Sequence, residues 1–306
     1  MGSFINAIPG AIGQGLIWGI MAIGVYITFR VLDFADLTVD GTLATGGAAL
    51  VTAMMNGVNV YVALVIAFAA GCLAGLVTGL LNTVFGIPPI LAGILTQLAL
   101  YSINLRILGK ANQPVSSYKY HLLCTMSELN KALLVATAFV LVIIAILYWF
   151  FGTEVGHAIR ATGTNMNMAR ANGININSSK ILALVISNGL VALSGALYAQ
   201  YQGFADINMG RGAIVIGLAA VIVGEVIFGK IFRNFALTLV AVVFGGIIYY
   251  IVQNIVVWLG LDANDLKLLS AVVVAIFLGI PYWQKQAKSK IGMKQSKKVK
   301  GEDTNA

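Results

Sequence analysis

Long apolar runs separated by short polar breaks give nine candidate spans, at about 12–30, 36–56, 61–85, 88–108, 132–151, 180–202, 212–229, 235–258 and 266–284. A hydrocarbon core of about 30 Å needs roughly 20 apolar residues per helix. Backbone groups in lipid must also pair within their own segment. The pattern therefore predicts an all-α, polytopic integral membrane protein of about nine transmembrane helices. The second and seventh runs fit this template least well. Residues 1–284 read as one transmembrane domain and 285–306 as a basic tail.

Composition agrees with that reading. The hydrophobic share is 59% and the charged share 10%, with a mean hydropathy of +0.91, whereas soluble domains carry about 25% charged residues. The net charge of +8 does not point to nucleic acid, because seven of the 19 basic residues lie between Lys285 and Lys300, just past the last apolar run. Such a cluster fits a cytosolic membrane flank. With the tail cytosolic, counting backwards places 152–179 and 230–234 inside, 109–131 outside and the amino terminus outside. Thirteen Lys and Arg then lie inside and six outside, as the positive-inside rule requires. The first run lacks a basic leader and reads as the first span rather than a cleaved signal. Cys72 and Cys124 occupy different environments and do not suggest a disulfide framework.

A short string recurs. Phe34-Ala35-Asp36-Leu37 returns 170 residues later as Phe204-Ala205-Asp206-Ile207, each copy between an apolar run and a glycine-containing one. In the predicted topology the first copy follows an inward-running helix and the second an outward-running one. That arrangement predicts an inverted repeat, with halves over about 12–130 and 180–284, a broken second helix and a midplane site between the halves.

Asp33, Asp36 and Asp40 stand at i, i+3 and i+7 beside an apolar run, so on a helix they share a face. Each Asp at the bilayer centre costs about 2.5–3.5 kcal/mol, which excludes lipid exposure of all three. Either they line a watered cavity in a discontinuous helix or they are solvated at the cytosolic interface. Gln97, Tyr101 and Asn104 form a second polar stripe within an apolar helix that opens at Pro88-Pro89; interhelical hydrogen bonding and pathway lining both account for it. Asn188 and Gln200 invite the same two readings, and Asn82 reads as packing behind the Gly71, Gly75, Gly79 ridge. Glu225, near Lys230, reads as one of a pair at the cytosolic boundary. The stretch Gly224 to Lys230 imitates a phosphate-binding loop, but Ile231 stands where Ser or Thr would hold magnesium. The histidines, His121 and His157, fall on opposite sides and suggest no metal pair. No nucleophile and base are paired, so no catalytic residue, cofactor or metal is expected.

The loop from Gly156 to Asn175 carries a short helix-compatible stretch ending at a glycine cap, rich in Ala, Met and Arg suited to a partner's groove. Its Gly156, Arg160-Ala161, Asn165, Ala169 and Gly173-Ile174-Asn175, ahead of Ser187-Asn188-Gly189 and Ser194-Gly195-Ala196, resemble the coupling region of type II ABC importer permeases of the branched-chain amino acid class. The resemblance runs from about residue 12 to 283, and Arg30 to Gly47 and Leu100 to Gly109 look closest to its tryptophan/tyrosine-type permeases. It implies a non-enzymatic permease for a small polar solute, an amino acid of aromatic or branched-chain type. It also implies cytosolic ATP-binding cassette subunits docked on residues 156–173 of the 152–179 coupling loop, a second permease copy, identical or paralogous, and an extracytoplasmic solute-binding lipoprotein, all at a bacterial cytoplasmic membrane. On this reading Gly156, Arg160, Asn165, Ala169, Arg170 and Gly173 couple to the ATPase, while Asp36, Asp40, Thr42, Gln97, Tyr101, Asn104 and Asn188 line the pathway. An ion- or proton-coupled carrier and an ABC importer of nucleosides or sugars are the alternatives.

Overall fold

A computed structural model describes residues 2–116, 120–229, 231 and 234–258, with isolated helical positions at 268, 271–272, 275–276 and 279. Helix α1 (Gly2–Tyr26) runs into a π-helical turn, Ile27–Val31, and a non-helical segment leads from there to α2 (Val39–Met55). Helices α3 (Val60–Thr83), α4 (Pro89–Leu108) and α5 (Leu129–Phe151) follow. The short α6 (Glu154–Thr164) and α7 (Met166–Ala171) precede α8 (Ile176–Gln202), α9 (Ala213–Phe228) and α10 (Phe235–Trp258).

Among the described residues six helical stretches are long and apolar enough to cross a membrane: α1 with its π turn, α3, α4, α5, α8 and α10. The expected second and seventh spans are shorter, at 17 residues for α2 and 16 for α9. At 1.5 Å per residue they reach only about 24–26 Å, less than the hydrocarbon thickness. Of the nine expected spans, the described residues thus hold six long helices and two short ones, and the ninth, 266–284, lies outside the described residues apart from six isolated positions. The basic tail lies outside them too. The fold is helical as expected, with one addition: β1 (Asn112–Pro114) and β2 (Phe204–Asp206) form a short antiparallel ribbon with Asn112 opposite Asp206. The second Phe-Ala-Asp copy is therefore a strand, its backbone groups satisfied by the chain that follows α4.

Helix α8 is the axis of the bundle, buried along most of its length. Its hydroxyls bind carbonyls of α1 in reverse order, Ser187 to Gly24 at 2.7 Å, Ser194 to Ile17 at 2.8 Å and Tyr201 to Gly10 at 3.0 Å, so the two helices are antiparallel. Helix α3 is antiparallel to α8 as well. Its Gly71, Gly75 and Gly79 meet Asn188, Leu184 and Ile181 in turn, and a Cβ at the first two would run into the α8 backbone. The small-residue ridge is therefore a packing face, since close backbone approach is how helices associate in lipid. On the other flank α10 lies antiparallel to α1, with Ile247 on Gly15 and Val243 on Gly19, while α9 returns beside α10 with Gly224 against Ala241. Helices α2 and α4 run in the same direction, from Gly93 beside Leu37 to Thr52, whose hydroxyl donates to Ile107 O at 3.1 Å. The ribbon thus closes one end of the bundle, and α6 closes the other, its Gly163 pressed onto Val31.

Candidate functional site

The three aspartates do not share a helical face. Residues 32–38 are not helical, and Asp33 is exposed with φ +56°, Asp36 is buried, and Asp40 lies in the first turn of α2. The cause is local. Asp36 Oδ1 accepts the backbone N–H of Thr38 at 2.9 Å, a turn that offers the backbone an alternative to the helical ladder. Asp206 makes the same turn in the second copy, accepting from Asn208 N at 2.6 Å.

The residues expected to line a pathway fall into two groups. Asp36, Thr42 and Asn188 form a closed interior network. Asn188 Nδ2 donates to Asp36 Oδ2 at 2.7 Å, and the Thr42 hydroxyl donates to Asn188 Oδ1 at 2.8 Å. Asp36 is 2% exposed and Asn188 0%. Beside them the Thr38, Thr78 and Thr96 hydroxyls form a chain with contacts of 2.8 and 2.9 Å, tying α3 and α4 to the break before α2. Such saturation is what buried polar groups require.

Asp40, Gln97, Tyr101 and Asn104 instead share one cavity of about 410 Å³, with Gly41, Leu98, Ile207 and Arg211 completing its lining. Asp40 Oδ2 accepts from Gly212 N and Oδ1 from Ile214 N, each at 2.9 Å, so its carboxylate caps α9 from the first turn of α2. A negative group there meets free N–H groups and the positive end of the helix dipole. Gly210 permits the approach, because a Cβ at that position would strike the Asp40 carbonyl. Asn104 Nδ2 lies 3.4 Å from Gly41 O, and its buried Oδ1 has no protein hydrogen bond. Tyr101 is 42% exposed at the open side. Arg211 was missed in the sequence. The signal available was a single cation set between Gly210 and Gly212, just after the second Phe-Ala-Asp copy.

At the other end, the residues expected to contact an ATPase also divide. Gly156 is buried against Phe151, Ala169 is buried, and the Arg160 guanidinium lies over the Phe235 ring at 4.2 Å and the Phe151 ring at 5.4 Å. These three hold α6 and α7 onto the bundle. Asn165 caps α7 through its side-chain oxygen, accepting from Asn167 N and Met168 N at 3.0 Å, and Gly173 closes α7 with φ +78°. The outward face carries Asn165, Met166, Met168, Arg170 and Gly173. Glu225 pairs with Arg30 at 2.8 Å, a partner 195 residues away; the expected neighbour Lys230 lies outside the described residues. Asn82 donates to Ile87 O at 2.8 Å and Gln200 Oε1 accepts from Leu123 N at 2.9 Å, so both hold loops. Burial under the Ala132 carbonyl pushes the Cys124 thiol up to about 12. Among the described residues no three His, Cys, Asp or Glu side chains converge on a point.

A helical membrane bundle in which two short, interrupted helices meet at a polar cavity has the build of a solute permease. Comparison with known proteins agrees. Residues 8–280 match the family model described as branched-chain amino acid transport system / permease component, and the chain belongs to that family. It is the membrane subunit of an ABC importer, which decides against an ion-coupled carrier. It is 42% identical over 274 residues to the tyrosine transport system permease protein of Clostridioides difficile, covering 90% of this chain and 91% of that one. It is 28% identical to the fructose import permease protein FruF of Bifidobacterium longum, over 79% of this chain and 68% of that one. Among solved structures, PsaBC from Streptococcus pneumoniae in complex with Fab shares the fold, with a TM-score of 0.51, 16% identity, and coverage of 90% of this chain and 94% of that one.

Proposed function

We propose that this permease passes an amino acid, of aromatic type, through the cavity between α2, α4 and the α8–α9 connection. The observation that carries the reading is the gathering of Asp40, Gln97, Tyr101 and Asn104 into one polar cavity beside the break before α2. The similarity to a tyrosine permease supports the solute class. The two Phe-Ala-Asp copies, with their shared turn and the antiparallel course of α1 and α8, support an inverted repeat whose halves rock about Asp40. A second permease copy, identical or paralogous, covers the open side of the cavity, where polar groups would be costly against lipid. Cytosolic ATPase subunits dock on the outward face of α6 and α7, an extracytoplasmic binding lipoprotein delivers the solute at the ribbon end, and the chain sits in the bacterial cytoplasmic membrane with its basic tail inside.

The test is ATP-driven uptake in proteoliposomes holding the permease, its cognate ATPase and the binding protein, with labelled tyrosine, leucine, fructose and ribose offered in turn. Tyrosine uptake is expected, and Gln97→Ala with Asn104→Ala should lower it about tenfold while the complex stays assembled, a size fitting the loss of one or two solute hydrogen bonds. Uptake of a sugar with no uptake of either amino acid would overturn the assignment.

A further inference from the structure

The lining of the cavity includes one acid and one base. Asp40 comes from α2 and Arg211 from the turn ahead of α9, while the remaining lining is neutral: Gln97, Tyr101 and Asn104 from α4, with Leu98 and Ile207 as apolar surface. Arg211 is exposed, and among the described residues no carboxylate lies within ion-pairing distance of it. Asp40 already accepts two backbone N–H groups, but a carboxylate offers about four lone-pair positions, so it can accept further donors without releasing α9. The cavity volume of about 410 Å³ lies in the range of small-molecule sites.

We infer that Asp40 and Arg211 together select a zwitterion, with Asp40 receiving the α-ammonium group and Arg211 the α-carboxylate of a free amino acid. This rests on reading the cavity as the solute path. A charge leaving water needs a partner of opposite sign, and an amino acid carries two charges that must be met at once. The guanidinium fork matches a carboxylate bidentately, and the capped Asp40 carboxylate presents its free lone pairs to an ammonium. A sugar would leave both wall charges unmatched. An amine or an acid alone would leave one. Tyr101, Leu98 and Ile207 then face the side chain of the solute, which makes the backbone of the amino acid, not its side chain, the group read by charge.

The experiment uses the detergent-solubilised permease–ATPase complex and measures binding of three probes by scintillation proximity. Tyrosine carries both charges, tyramine lacks the carboxylate, and 3-(4-hydroxyphenyl)propionate lacks the ammonium group. The wild-type complex should bind tyrosine about tenfold more tightly than either analogue, the size expected for one charge-assisted contact. Arg211→Gln should bring tyrosine down to the level of tyramine and leave tyramine unchanged. Asp40→Asn should do the same for tyrosine against the propionate. Because Asp40 also caps α9, its variant counts only if the thermal midpoint is retained, and the Arg211→Gln arm decides alone otherwise. Equal weakening of tyrosine and tyramine by Arg211→Gln, no change in either, or three probes bound alike by the wild type would overturn the inference. Normal tyrosine uptake in proteoliposomes alongside such a result would sink the zwitterion pair and leave the proposed function standing. Absence of tyrosine uptake would remove both.

Discussion

Asn188 holds three backbone and side-chain partners at once, and its removal isolates a carboxylate. Its amide nitrogen bonds Asp36 at 2.7 Å and Leu184 O at 3.1 Å, and its oxygen takes the Thr42 hydroxyl. Without it, Asp36 keeps only its bonds to Thr38 in a site 2% exposed, and stranding a buried charged group costs about 3 kcal/mol. Asn188→Ala should therefore lower the thermal unfolding midpoint in detergent well beyond Thr42→Val, which loses one hydrogen bond worth about 1 kcal/mol. Adding Asp36→Asn to Asn188→Ala should recover part of the loss, since the stranded group is then neutral. Equal midpoints for Asn188→Ala and Thr42→Val would refute the charge argument. The sequence marked both residues as polar sites within apolar surroundings, but it left Asp36 between a watered cavity in a discontinuous helix and the cytosolic interface. The bond that fixes Asp36 spans 152 positions, and no local spacing encodes such a pairing.

Single elements were easier to read where periodicity or a cap defined them, and harder where a helix stopped short. The glycine ridge of α3, the proline start of α4 and the Gly173 stop of α7 follow from local chemistry that survives folding. The interruption before α2 was foreseen as one of two outcomes, yet the strand formed by the second Phe-Ala-Asp copy was not, because it depends on Asn112–Pro114 arriving from another connection. The same limit applies to α6 and α7, whose composition suggested a partner but not which side chains turn inward. Met168 is 50% exposed and Arg170 is exposed, whereas Arg160 lies on two aromatic rings. Met168→Glu with Arg170→Glu should thus abolish ATP-dependent uptake without moving the thermal midpoint. Arg160→Ala should behave differently, lowering stability by about 1–2 kcal/mol through the lost cation–π packing. A destabilised Met168/Arg170 variant, measured by thermal scanning, would show that this face is packed rather than offered to a partner.

Across the whole molecule, the arrangement of connections restricts sidedness more tightly than any one hydropathy window. The connections after α4 and α8 are joined by the ribbon, so they share a face whatever the membrane does. The α6–α7 pair lies on the opposite end, because α5 enters it and α8 leaves it as helices of 23 and 27 residues, long enough for a full crossing. Counting spans back from the lysine-rich tail puts the same two regions on opposite faces, an expectation with which the positive-inside count agrees. Ala111 and Asn167 are both exposed and stand on these two ends. With Cys72→Ser and Cys124→Ala as background, a membrane-impermeant maleimide should label Ala111→Cys on intact cells and Asn167→Cys only after permeabilisation. Labelling of both on intact cells would mean that the bundle does not separate the two ends across the bilayer, and docking of a cytosolic ATPase at α7 would then be physically impossible. The reverse pattern would invert the molecule, place the ATPase face outside, and contradict the lysine-rich tail as an inward anchor. The expected pattern fixes the direction in which α2 and α9 open, because their first turns meet at Asp40 while their far ends point to opposite faces. On the proposed pathway, a solute at that junction would be reached from the ribbon end along α2 and from the α6–α7 end along α9, the geometry alternating access requires.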